Sequence, residues 1–250
     1  MLPAPTEAPA RVIVLNYDPA AEGLLSALHR LNDGPRLDLL CVGAAAPAEI
    51  EPHLAGRATY LQGAIDRGLE HYTALLADRA AVTAARAVIV LPRHAGGEVD
   101  ANSRLICAAI RRACGALKGP AVVVAIEDPE ASFEFAGLGV TTIFYPGFLR
   151  AALFAHACVD LAVFRFILGL LHGRVRVLTI PVPAHLRAAT FRAATLALEE
   201  APDGEPLTLI GVFDGAGAGA GLRLNPGPGY SLAEVACLLA LTTAELTDVA

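Results

Sequence analysis

The chain has 250 residues, 55% hydrophobic and 18% charged, with a formal net charge of −6. That length holds one large domain or two small ones around an ample apolar core, and the composition excludes a disordered chain. An acidic balance without any basic block argues against nucleic acid or an anionic membrane surface as the main partner.

Lys118 is the sole lysine, in the loop-like stretch GALKGP, which removes a Schiff-base lysine, a P-loop G-K-[ST] and a Y-x-x-x-K dehydrogenase pair. Cys41, Cys107, Cys114, Cys158 and Cys237 are odd in number and never form C-x-x-C. They read as buried thiols in a reducing compartment, so a cytoplasmic location is expected.

Residues 1–10, MLPAPTEAPA, are proline-rich and lack the apolar core of a signal peptide, which predicts a flexible tail or linker stub. Six short β-rich runs follow: RVIVL at 11–15, LDLLCV at 37–42, ATYLQ at 58–62, AVIVL at 87–91, AVVVAI at 121–126 and TTIFY at 141–145. Between them Leu24, Leu25, Leu28 and Leu31 share one helical face, as do Leu69, Tyr72, Leu75 and Leu76, and then Leu105, Ile106, Ala109, Ile110 and Ala113. Strand–helix alternation with nearly continuous apolar strands predicts an α/β fold, a Rossmann-like doubly wound parallel sheet over residues 11–147.

After Tyr145-Pro146-Gly147 the alternation stops, and one long apolar helix is expected from Phe148 to Leu171, capped at Gly173. Asp160, Arg165 and His156 interrupt it, so it reads as a packed helix and not a membrane span. Its apolar surface is wider than one sheet needs, which suggests a crossover or dimerisation segment (148–173) using Phe148, Leu149, Leu153, Phe154, Phe164 and Leu168; a plain core helix is the other reading. Residues 174–250 predict a small α+β C-terminal lobe: the strand VRVLTIPVP, a helix over Ala184 to Leu198, a turn at Asp203-Gly204, the strands LTLIGVF and LRLNP, and a closing helix in SLAEVACLLAL. Gly215 to Gly221 spaces its glycines like a phosphate loop but leads into a strand, so it lacks the free amides of a helix N-terminus and reads as a hairpin loop.

VIVLNYDPAAEGLLSAL, Val12 to Leu28, has the strand–turn–helix form of a dinucleotide fingerprint, but Asn16, Asp18 and Ala21 stand where G-x-G-x-x-G has glycine. Asp18-Pro19 instead reads as a helix cap followed by proline at the first helical position, and its carboxylate would repel a phosphate. The acid that ends the second strand and holds the ribose is missing as well, since that strand closes on Cys41-Val42-Gly43. Both features favour a degenerate turn with no bound cofactor and argue against NAD(H) or ATP.

Seven dispersed histidines give no metal motif, and no G-x-S-x-G elbow or legible triad indicates an enzyme. Acidic residues near strand ends, Asp18, Asp66, Glu98, Asp100, Glu127, Asp128 and Glu130, have the oxygen chemistry of a Ca2+ site. Alternatively Asp100 and Asp128 cap the helices that follow.

The order of these pieces resembles the cytoplasmic RCK or KTN domains that regulate potassium conductance in Trk/Ktr uptake subunits and in gating rings of ligand-gated potassium channels. The stretches that carry the resemblance are RVIVLNYDPAAEGLLSAL, ATYLQGAIDRGLEHYTALLADRAAVTAARAVIVLP, EVDANSRLICAAIRRA, PAVVVAIEDPEASFEFAGLGVTTIFYPGFLRAALFAHA, VPAHLRAATFRAATLALEE and LTLIGVFDGAGAGAGLRLNPGPGYSLAEVACLL. The resemblance implies a non-catalytic regulatory domain that forms a homodimer or larger ring and acts on the membrane pore of a potassium channel or transporter. It also implies calcium-binding carboxylates near the ends of the fourth and fifth strands, where Asp100 and Glu127 lie. An NAD(P)-binding oxidoreductase and a structural scaffold without ligand response are the alternatives.

Overall fold

Four consecutive residues of the first strand, Val12 to Leu15, are buried, a demand only an interior strand with a layer on each face can meet. The computed structural model describes residues 9–31, 37–54, 56–93, 99–116, 119–200, 207–214 and 221–243. Most of the expected tail, Glu98, Lys118, the Asp203-Gly204 turn and most of the glycine loop lie outside the described residues. The chain divides into two compact units, Met1–Val159 and Asp160–Ala250.

In the first unit, β1 (Ala10–Leu15), β2 (Leu37–Gly43), β3 (Thr59–Gln62), β4 (Ala87–Val90), β5 (Ala121–Ala125) and β6 (Thr142–Phe144) form one sheet in the order β3-β2-β1-β4-β5-β6. Every neighbouring pair is parallel. The helices are α1 (Glu22–Leu31), α2 (Pro47–Leu54), α3 (Leu69–Ala74, widening into a π-helical turn over Leu75–Arg79), α4 (Val99–Cys114) and α5 (Pro146–Val159). All six expected strands are present within a residue or two of their predicted ends.

The period-2 pleat divides the core in two. Ile13, Leu15, Leu40, Val42, Val88 and Val90 point to one face and pack with Leu76, Ile106 and Ile110 of the α3–α4 side. Val12, Val14, Leu39 and Cys41 point to the other and pack with Leu25, Ile50 and Leu54 of α1 and α2. Where Arg11 and Asp38 meet in register between β1 and β2, they pair at 2.7 Å.

The second unit holds α6 (Leu161–Leu171), β7 (Val175–Pro181), α7 (Phe191–Glu199), β8 (Thr208–Asp214), β9 (Leu222–Leu224) and β10 (Val235–Thr243). Its sheet runs β7-β10-β8-β9, all antiparallel. One face is closed by Leu186, Phe191 and Ala194 against Leu209, Val212, Leu238 and Ala240.

Three expectations are corrected. The closing segment expected as a helix is instead β10, an interior strand of this sheet. Paired on both sides, it buries Leu238, Ala240 and Thr242 while leaving Leu239 and Leu241 half-buried, a period of two that overrides the helical propensity of Leu and Ala. The long helix Phe148–Leu171 is two helices, because Asp160 takes an extended conformation (φ −141°, ψ 94°) and its carboxylate accepts from the amides of Ala162 and Val163, starting α6 anew. The helix expected over Ala184 to Leu198 is a 3-10 turn, Ala184–Leu186, followed by α7 capped by Thr190.

Of the five cysteines expected to be buried, Cys41, Cys107 and Cys114 are, whereas Cys237 is half-buried and Cys158 lies exposed on α5, and burial sets the chemistry of the first three. Desolvation pushes Cys41 and Cys107 from an ordinary value of 9.0 up to about 12. The unfolded chain therefore ionises these thiols at lower pH than the fold does. Their contribution to stability is complete below pH 9 and is lost as pH rises toward 12, by roughly 1 kcal/mol per thiol one unit above the unfolded value. Denaturant midpoints between pH 8 and 11 should fall accordingly, and the Cys41→Ala/Cys107→Ala variant, though less stable at neutral pH, should show a shallower fall.

Candidate functional site

Open α/β sheets bind ligands beyond the carboxyl ends of their strands where the strand order reverses, here between β1 and β4. The chain's own hydrogen bonds lace that point together. Asn16 turns the backbone out of β1 with φ +58°, a left-handed conformation that asparagine tolerates, and its Nδ2 donates to the Leu91 carbonyl at 2.9 Å. The Leu91 amide in turn donates to the Leu15 carbonyl at 3.1 Å. Farther along the edge, Arg93 after β4 pairs with Asp66 after β3 at 2.6 Å.

Asp18 caps the turn as expected, with its Oδ1 accepting from the Ala20 amide at 2.9 Å and Pro19 opening the helical turn. The element it caps is a 3-10 turn, Pro19–Ala21, that feeds α1. Ala21 packs against the α1–α2 core cluster, so the third fingerprint position bears a methyl group between helix and sheet.

Gly43 explains why the second strand ends without an acid. A Cβ there would lie 2.3 Å from the Tyr17 carbonyl oxygen and 2.9 Å from the Tyr60 hydroxyl. Tyr17 is drawn onto this strand by its own amide, which donates to the Val42 carbonyl at 2.9 Å. No side chain fits at Gly43, whether carboxylate or other.

Tyr17 had no signal in the sequence pattern, yet its side chain is buried in the α1–α2 cluster. Its hydroxyl has no hydrogen-bond partner among the described residues, and burial first, then the neighbouring Cys41 and Glu22, raise its pKa. Arg57 is a second residue that spacing could not reveal. It donates to Ser26 and Glu22 of α1 and to the Leu54 and His53 carbonyls of α2, locking together the two helices beside the turn.

The structure brings Asp100 and Glu127 together, but through the backbone of Glu127. Asp100, in the first turn of α4, accepts from the Glu127 amide at 3.0 Å with Oδ1 and from the Asp128 amide at 2.9 Å with Oδ2. Asp128 caps the next 3-10 helix, Pro129–Phe135, through the Glu130 amide at 2.9 Å. Asp100 thus clamps the loop after β5 to the start of α4. Among the described residues no group of three His, Cys, Asp or Glu side chains is placed to hold a metal ion.

Of the expected dimerisation residues, Phe148, Leu149 and Phe154 lie exposed on α5, with Leu153 half-buried. Phe164 and Leu168 are half-buried on α6. Neither helix buries a single residue. Among the described residues no helix is long and apolar enough to cross a membrane.

No protein-family model matches the chain, and no curated protein matches its sequence. Solved structures do resemble it. The human SLO3 gating ring superimposes with a TM-score of 0.62 at 13% identity, covering 94% of this chain and 44% of that one. The GsuK RCK domain matches at a TM-score of 0.42 and 15% identity over 96% of this chain and 46% of that one. An NAD(P)-binding domain of an exopolyphosphatase-related protein from Archaeoglobus fulgidus matches at 0.42 and 17% identity over 59% and 96%. The fold is therefore a Rossmann-like α/β unit followed by a small antiparallel unit. It is shared with the SLO3 gating ring, of whose chain it spans less than half the length.

Two substitutions separate structural from ligand roles at this edge. Gly43→Ala should cost about 2–3 kcal/mol in urea unfolding, because Tyr17 or β2 must move. Asp100→Ala should cost about 1–2 kcal/mol by freeing two loop amides, equally with calcium and with a chelator. A calcium-induced rise in Tm that Asp100→Ala abolishes would assign the carboxylate to a cation instead.

Proposed function

We propose that the chain is a non-catalytic, cytoplasmic regulatory domain of the RCK type, which controls a potassium channel or transporter through conformational change of a homodimer or larger ring. The observation that carries this reading is the likeness to the SLO3 gating ring across nearly the whole chain, both units included. A Rossmann-like sheet alone serves many chemistries. One followed by this second lobe is far more restrictive.

The nucleotide turn is degenerate under this reading. Asp18 puts a carboxylate on the amide that a phosphate would use, Gly43 has no room for a ribose-binding acid, and Asn16 spends its side chain on Leu91 at the strand switch. Regulation then works by differential stability: whatever fits one arrangement of the assembly better shifts the population toward it, and the assembly moves its membrane partner. Self-association uses the apolar residues of α5 and α6. Phe148 is 73% and Phe154 67% exposed, more apolar surface than an unpartnered helix ordinarily shows to water.

Light scattering during gel filtration of the whole chain should give a dimer or larger species for the wild type and a monomer for Phe148→Asp/Phe154→Asp. Millimolar NADH or ATP should leave the wild-type Tm unchanged. A wild-type monomer would remove the assembly reading, a rise of several degrees with a nucleotide would remove the degenerate turn, and turnover of a hydride donor would remove the regulatory reading altogether.

A further inference from the structure

A cavity of about 220 Å3 opens at the opposite, N-terminal edge of the large sheet, between the end of α4, the start of β5 and the loop before β6. Ile110, Pro120, Val122 and Leu138 give it apolar walls, and Arg111 is the one charged side chain among its described lining residues. The walls also include bare backbone at Gly115, Gly119 and Gly139. At Gly119 the missing side chain matters, since a Cβ would already press on the Cys114 sulfur at 3.3 Å.

Arg111 differs from the other arginines of its helix. Arg104 pairs with Glu134 and Arg112 with Glu70, whereas Arg111 is exposed and pairs with no carboxylate among the described residues. Its Nη1 lies beside the loop, 3.5 Å from where a Cβ on Gly137 would stand. Among the described residues no acidic side chain lines the cavity, and burial pushes the Cys114 thiol toward its neutral form, so no carboxylate or thiolate among them competes for the guanidinium.

We propose that this cavity binds a small monocarboxylate with a short apolar body, the carboxylate taken by Arg111 and the body by the Ile110–Val122–Leu138 walls. The fork of a guanidinium matches a carboxylate with two parallel hydrogen bonds. A phosphate fits less well: it is doubly charged and needs several donors, and the negative end of the α4 dipole opposes two charges more than the single charge that Arg111 offsets. The volume lies below the range of drug-sized sites, roughly 300–1,000 Å3, and so limits the ligand to a short branched or single-ring body.

The test uses the whole chain with isovalerate and benzoate as probes and isovaleramide and benzamide as neutral matches, followed by amide NMR shifts. The acids should give saturable shifts centred on Gly115, Gly119 and Gly139, and should bind at least about tenfold more tightly than the amides, as expected of a charge-assisted pair. Arg111→Gln, a change on an exposed helix face that leaves the core untouched, should erase that difference while retaining weak binding of both. Leu138→Trp should fill the cavity and remove all binding. Equal affinity for acid and amide, shifts mapping elsewhere, no saturation by tens of millimolar, or an acid preference retained in Arg111→Gln would each overturn the assignment.

Discussion

Burial of Val12 to Leu15 on both faces of β1 is the constraint from which the first unit follows. With Val12 and Val14 on one face and Ile13 and Leu15 on the other, the strand needs a neighbour on each edge and a helical layer on each side. β2 and β4 supply the edges; α1–α2 and α3–α4 supply the layers. Parallel pairing to both neighbours then requires the chain to leave β1 over the carboxyl edge, which places the Asn16–Asp18 turn at the strand switch whatever its chemistry. The position is inherited from topology, and only the side chains decide what it binds.

Those side chains spend their hydrogen-bonding capacity on the protein. Asn16 reaches Leu91, Asp18 holds the Ala20 amide, and the Tyr17 carbonyl occupies the space over Gly43. In a dinucleotide fold glycines open this region to pyrophosphate. Here Asn16, which tolerates positive φ, makes the turn out of β1, and the Asp18 carboxylate accepts from the Ala20 amide of the helical turn that follows.

What could be read in advance follows from the strength of each signal. Six strands were legible because β-branched and apolar residues run without interruption between turn residues, and the Asp18 cap because Asp-Pro has a single natural place at a helix start. β10 was not, since the Leu and Ala residues of VACLLAL favour a helix and the segment is a strand through its two partners, β7 and β8. The break at Asp160 was visible as a polar interruption, but whether such a residue tolerates or restarts a helix depends on its own backbone angles. Tyr17 and Arg57 left no periodic trace, because the contacts that define them span up to 35 residues in sequence.

The large sheet and the helices α5 and α6 treat apolar surface differently. The large sheet consumes its apolar residues in two closed clusters, whereas α5 and α6, each more apolar than the other helices of its own unit, bury nothing completely. Apolar residues that a chain keeps at high density but does not bury within itself carry a solvation cost of about 25 cal/mol per Å2, which association removes. Phe133, on the 3-10 helix after β5, bears the same cost at 73% exposure but stands at a single position, where it contributes too little area to drive assembly. On α5, Phe148, Leu149 and Phe154 are all exposed but spread around the helix, so the apolar surface they leave to water is broad, and it is the surface that the proposed self-association would cover.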